Sequence, residues 1–78
     1  MTLEVLNLEL DNGELLLEYI RRSDHTVAEL AAELGIDRAT LYRKIKDPPD
    51  NFSVKEAYAL SGLLGLSQID FRTVFICP

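Results

Sequence analysis

Gly35 separates two short segments that each begin with the residues of a helix N-terminus, and this arrangement constrains the fold most strongly. Thr26 and Glu29 form a capping-box pair at the start of the first segment. Gly35 suits the left-handed residue that closes such a helix, because it has no Cβ. Asp37 is then placed to cap the second segment. The pattern predicts two helices joined by a tight turn over residues 26–46.

Capping residues and apolar spacing elsewhere predict three more helices, and so a mainly all-α chain. The expected helices cover about 14–22, 27–34, 38–46, 54–64 and a shorter stretch after Ser67. The side chains expected to face the core are Leu16, Leu17, Ile20, Leu30, Ala31, Leu34, Leu41, Ile45, Leu60, Leu63, Leu64 and Ile69. Pro48 and Pro49 are expected to end helical structure after the third helix.

The two ends of the chain favour extended structure. Residues 3–10 partly alternate apolar and polar side chains, which predicts a short strand, and the apolar tail over 73–78 is expected to pair with it. On one interpretation this strand covers an edge of the domain. On the other it mediates dimerisation, because an unpaired strand edge invites another subunit. We therefore expect an N-terminal extension over 1–11 and a domain over 12–76.

The length and composition indicate one small domain. A chain of 78 residues has room for a single hydrophobic core. No apolar stretch approaches the ~20 residues that a membrane span requires, and no signal peptide is visible. Cys77 is the single cysteine, so the chain contains no internal disulfide. A reducing, cytoplasmic location is expected.

The charge of the chain is strongly uneven. The net charge is −5, and the first twenty residues carry five acids and no base. Residues 38–46 carry Arg38, Arg43, Lys44 and Lys46 and no acid. Because salt screens charges over roughly 8–10 Å, the local charge governs attraction to phosphate more than the net charge does.

The third expected helix has one apolar and one cationic face. Leu41 and Ile45 are four residues apart, so they share a face that must turn toward the core. The opposite side then presents Ala39, Arg43 and Lys46, flanked by Thr40 and Tyr42. Arginine can form a bidentate contact with guanine, and lysine suits phosphate contacts. This combination predicts a helix that enters the major groove of DNA.

At these residues the chain resembles a known family. Ala31 and the run from Gly35 to Ile45 look like the helix-turn-helix of phage Cro/CI-type repressors, of the XRE-like class, and the resemblance extends from about Leu16 to Phe75. It implies a compact five-helix, lambda-repressor-like domain whose third helix reads DNA. The base-reading positions that it implies are Asp37, Arg38, Ala39, Tyr42 and Arg43.

The combined prediction is a transcriptional regulator of phage-like origin that binds double-stranded DNA in a sequence-specific manner, as a homodimer with half-sites about 34 Å apart. The residues expected to contact DNA are Asp37, Arg38, Ala39, Thr40, Tyr42, Arg43, Lys44 and Lys46. No cofactor, metal ion, membrane or small-molecule substrate is expected.

Two other functions compete with this prediction. The acidic net charge would suit a protein-interaction module that shares the fold without binding DNA, such as an anti-repressor or a recruitment domain. An enzyme is not expected, because no nucleophile–base pair or paired-carboxylate motif stands out. His25 and Cys77 are the only histidine and cysteine, and they are too few for a zinc site, which needs three or four protein ligands.

Overall fold

The computed structural model describes residues 10–76. Within that range the regular secondary structure is all helical, with no strand. It contains six helices: α1 (Asn12–Arg22), α2 (Val27–Leu34), α3 (Arg38–Ile45), α4 (Pro48–Asn51), α5 (Val54–Leu64) and α6 (Gln68–Phe75). The α3 helix packs against α1, α2 and α4, while α6 packs against α1, α4 and α5. The α2 helix also contacts α5, so all six helices enclose one core.

Side-chain caps fix where five of the described helices begin. In each of them the N-cap side chain accepts a hydrogen bond from the backbone amide three residues later, and such a cap contributes about 1 kcal/mol. The N-cap residues are Asp11, Thr26, Asp37, Ser53 and Ser67. Gly35 and Gly65 close α2 and α5 in the left-handed conformation, with φ of 72° and 67°. The helix-turn-helix spacing predicted around Gly35 is therefore confirmed.

The core is formed by apolar side chains from α1, α2, α3, α5 and α6 and by Phe52, the residue that follows α4. Leu41 and Ile45 contribute the inner face of α3, with 0% and 2% of their surface exposed. The other buried apolar residues are Leu15, Leu16, Tyr19, Ile20, Leu30, Ala31, Phe52, Ala57, Leu60, Val74 and Phe75. Two predicted core positions are wrong, because Leu17 is 40% exposed and Ile69 is 74% exposed.

The start of α1 joins the ends of two other helices. The Asn12 side-chain amide donates to the carbonyl oxygens of Thr73 and Val74 at 3.1 and 2.8 Å, which caps the end of α6. Gly13 lies directly against the end of α3, where a Cβ would fall inside van der Waals contact of the Ile45 carbonyl oxygen. The N-terminus of α1 therefore fixes both α3 and α6.

The structure corrects two predictions about chain breaks and tails. Pro48 begins the one-turn helix α4 instead of ending helical structure, because proline suits the first position of a helix. This turn raises the number of helices above the five predicted. Residues 73–75 belong to α6 and not to a strand, since Ser67 caps the helix and Val74 and Phe75 pack in the core.

Some predictions concern residues outside the range that the structure describes. The strand predicted over 3–10 lies there apart from Leu10, which has no regular secondary structure and packs partly buried against the core. Cys77 lies outside it as well. The division into an extension over 1–11 and a domain over 12–76 stays a prediction.

Candidate nucleic-acid interface

The α3 helix presents the face that its sequence spacing predicts. Leu41 and Ile45 anchor one side in the core, and the opposite side is open to solvent. We call the exposed surface the α3 face; it consists of Arg38, Ala39, Tyr42, Arg43 and Lys46. Tyr42 keeps 47% of its surface exposed despite its size. An exposed aromatic ring among three cations matches the chemistry that nucleic-acid contacts use.

The arginine at the centre of the α3 face is oriented by its own helix. The Arg43 Nη2 atom donates to the Thr40 hydroxyl at 3.1 Å. Thr40 itself is half-buried, so it supports Arg43 from beneath and adds little exposed surface. A guanidinium held in this way loses less freedom when it binds, because its fork is already placed.

Asp37 has a defined structural task at the start of α3. Its carboxylate accepts a hydrogen bond from the Thr40 backbone amide at 2.7 Å. That amide is the main cause of a lowered pKa for Asp37, and the charge of Arg43 lowers the pKa further. The predicted contact of Asp37 with bases stays a prediction, whereas its capping role is confirmed.

Lys44 differs from the other three cations of the segment. Its Nζ lies 3.1 Å from the Glu56 carboxylate and 3.1 Å from the Asn51 carbonyl oxygen. Within residues 10–76, neither Arg38 nor Lys46 forms an ion pair. The structure thus leaves Arg38, Arg43 and Lys46 exposed and turns Lys44 toward α5.

Sequence reasoning missed the partners of Lys44. Neither Asn51 nor Glu56 was predicted to contact Lys44. Asn51 donates from Nδ2 to the Arg43 carbonyl oxygen at 3.2 Å, across eight residues. The Lys44–Glu56 pair spans twelve residues. Both separations exceed the three or four residues at which side chains of one helix meet, so no local pattern signals these contacts.

Two negative findings apply to the part of the chain that the structure describes. It contains no group of three or more histidine, cysteine, aspartate or glutamate side chains placed to hold a metal ion. None of its helices is long and apolar enough to span a membrane.

We expect Asp37 to make the stability of α3 sensitive to acid. Because its pKa is lowered in the folded state, the carboxylate contributes stability above its ordinary pKa of 3.8, and this stability is lost as the pH falls through the lower folded value. Asp37→Asn keeps an N-cap acceptor but cannot titrate. Lowering the pH from about 5 to 2 should therefore reduce the stability of the wild type more than that of this variant. The thermal unfolding midpoint of each protein measures this loss.

Other carboxylates titrate in both proteins and serve as the internal reference. The pKa values of Glu18, Glu29 and Glu56 are also lowered, so both proteins should lose stability in acid. The expected signal is the difference between their two pH profiles. Parallel profiles would contradict the assignment of an ionised cap at Asp37.

Comparison with known protein families agrees with this geometry. Residues 12–47 match the family model described as bacterial regulatory protein, Fis family. The match covers just under half of the chain and includes α1, α2, the turn at Gly35 and α3. No curated protein and no solved structure was found to match the chain. On the matched residues and the geometry of α3, this chain contains the DNA-binding domain of a helix-turn-helix regulator.

Proposed function

We propose that this protein regulates transcription by inserting α3 into the major groove of double-stranded DNA. The observation that carries the proposal is the anchoring of Leu41 and Ile45 in the core, which leaves the α3 face exposed and cationic. The major groove admits an α-helix and presents a distinct pattern of donors and acceptors for each base pair. A DNA-binding regulator of this kind would act in the cytoplasm, at the nucleoid.

The exposed residues divide into readers of bases and binders of phosphate. We assign base contacts to Arg38 and Arg43, whose guanidinium groups can each form two hydrogen bonds with guanine. The small side chain of Ala39 permits close approach, and Tyr42 can contact a thymine methyl group or a phosphate. Lys46, exposed and without an ion pair among the described residues, is assigned to phosphate.

The protein is proposed to act as a homodimer. One small reading head gives limited affinity, whereas a two-fold dimer reads half-sites about 34 Å apart. Exposed apolar side chains on α5 and beyond α6 support this proposal, because large exposed apolar groups mark interaction surfaces. Val54 is 70% exposed, Tyr58 64% and Ile76 59%. The Tyr58 ring stacks on Phe71 with 4.8 Å between centroids, which fixes the orientation of the ring at the surface.

Repression by a phage-like Cro/CI-type protein is the regulatory mode that we favour. Its support is the resemblance of the Gly35–Ile45 run, together with the small size of a domain that can act by occupying an operator. The competing function is a protein-interaction module, favoured by the net charge of −5 and by the same exposed apolar side chains.

Selection from a random pool of double-stranded DNA tests the proposal most directly. We expect enrichment of one motif with two-fold symmetry and a half-site spacing of about 10 base pairs. A control protein with Arg38, Arg43 and Lys46 all replaced by alanine should enrich nothing, although it keeps the core. Absence of enrichment and of gel retardation by the wild type at low salt would contradict the proposal. A stable protein complex would then favour the interaction module.

A further inference from the structure

We infer that Lys44 is a positioning residue that holds α3 in its DNA-reading pose together with Asn51 and Glu56. We call these three residues the α3 clamp. The inference rests on the proposed function and adds a role for a cation that the sequence had assigned to phosphate contacts. It is carried by the geometry at the end of α3, where the clamp ties the helix to α4 and α5.

The Lys44 ammonium group is enclosed by partners from outside its own helix. Its Nζ donates to the Glu56 Oε1 atom and to the Asn51 carbonyl oxygen, both at 3.1 Å. It also lies 5.9 Å from the centre of the Phe52 ring. The side chain is only 24% exposed. Three neighbours therefore contact this cation. Moving it toward a phosphate would break its contact with each of them.

Asn51 completes the clamp at the backbone of α3. Its side-chain amide donates to the Arg43 carbonyl oxygen at 3.2 Å and lies 3.5 Å from that of Lys44. These two carbonyl oxygens also accept from the backbone amides of Lys46 and Asp47, both at 3.3 Å, so Asn51 adds a partner from outside the helix. Asn51 thus holds the backbone of Arg43, the central arginine of the α3 face.

Glu56 links the clamp to the start of α5. Its Oε1 atom accepts from the Ser53 backbone amide at 3.0 Å and from Lys44 at 3.1 Å. Its pKa is lowered mainly by the hydrogen bond from the Ser53 backbone and further by Lys44. One carboxylate therefore closes the capping box of α5 and fixes α3 against it.

This arrangement gives different roles to Lys44, in α3, and to Lys46, the residue that follows the helix. Lys44 is neutralised by Glu56, whereas Lys46 is exposed and has no ion pair among the described residues. A cation that neutralises a DNA phosphate contributes about 0.9 to the slope of log affinity against log salt. Lys46 should contribute to that slope, and Lys44 should not.

The experiment compares Lys44→Met with the matched control Lys46→Met on the selected operator and on random DNA. We expect Lys44→Met to weaken operator binding about three- to tenfold, within the range by which residues that do not touch a ligand can alter its binding, with the salt slope unchanged. Lys46→Met should flatten the slope by about 0.9 on both DNAs. A role confined to stability would leave the ratio of operator to random affinity unchanged well below the unfolding temperature.

Glu56→Gln supplies the second arm, because glutamine still closes a capping box but does not carry the charge. We expect this variant to lose operator affinity as Lys44→Met does, and the double variant to bind no more weakly than the weaker single variant. The midpoints of denaturant unfolding should show the same non-additivity, with the double variant no less stable than the less stable single variant. These midpoints are measured without DNA, so they test the clamp separately from DNA binding.

The outcomes are distinct. If Lys44→Met flattens the salt slope as Lys46→Met does, Lys44 binds phosphate and the inference is wrong. An unchanged ratio of operator to random affinity, or additive effects with Glu56→Gln, overturns it equally. If the wild type binds no DNA at low salt, the proposed function fails, and with it the DNA-reading role of Lys44. Non-additive denaturant midpoints would then still establish the clamp as a structural link.

Discussion

A Gly13→Ala variant is expected to lose about 3 kcal/mol of unfolding free energy, which would lower the thermal midpoint of a domain this small by roughly 12–24 °C. Gly13 is buried in the first turn of α1, and its Cα faces the end of α3. An added Cβ would overlap the Ile45 carbonyl oxygen and lie 2.9 Å from that of Lys46. Both atoms belong to the backbone, so relief requires α1 and α3 to separate.

Two other glycines provide controls for the same substitution. Gly62 lies within α5 with nothing near a new Cβ, so alanine there should gain about 0.5–1 kcal/mol. Gly35 also has open space but adopts a φ of 72°, so alanine there should cost about 1–2 kcal/mol. Differential scanning calorimetry should rank the midpoints Gly62→Ala, wild type, Gly35→Ala and Gly13→Ala, from highest to lowest. A midpoint for Gly13→Ala at or above that of Gly35→Ala would refute the close-approach argument.

Local signals predicted the helix-turn-helix well because its determinants are neighbours in sequence. Thr26 and Glu29 cap α2, Asp37 caps α3, and the four-residue spacing of Leu41 and Ile45 fixes the buried face of α3. Each of these signals acts within one or two helical turns. They therefore needed no knowledge of the tertiary fold.

The errors arose where tertiary packing decides the conformation. The tail after Ser67 contains β-favouring residues, yet Val74 and Phe75 are buried as part of α6, and Asn12 satisfies the carbonyl groups at its end. Strand propensity measures how well a side chain fits its surroundings, so core packing overrides it. Pro48 likewise begins a helical turn that α3 and α6 enclose.

In the candidate site too, some features follow from local sequence and others from tertiary packing. The exposure of Ala39, Tyr42 and Arg43 follows from the helical repeat alone, whereas the direction of Lys44 depends on Glu56, twelve residues away. A count of charges alone groups Lys44 with Arg38, Arg43 and Lys46 as four cations of one segment. The tertiary structure distinguishes it from the other three, and this distinction changes the expected number of phosphate contacts.

Replacing Arg43 with alanine is expected to reduce operator affinity by about 1–3 kcal/mol, which corresponds to roughly 5- to 150-fold. Arg43 lies at the centre of the α3 face, and Thr40 orients its guanidinium group at 3.1 Å. A bidentate contact with guanine requires the planar fork, not only the charge. Titration of labelled operator and of random DNA at one salt concentration measures the loss on each.

Arg43→Lys is the sharper control, because it keeps the charge and removes the fork. It should bind random DNA as the wild type does, with the same salt slope, and yet lose most of the preference for the operator. Arg38→Ala should resemble Arg43→Ala, whereas Lys46→Ala should weaken binding to both DNAs alike. If Arg43→Lys retained the full preference for the operator, Arg43 would be acting as a point charge on phosphate. Sequence reading would then have to come from other residues of the α3 face, with Arg38 and Tyr42 the next to be tested.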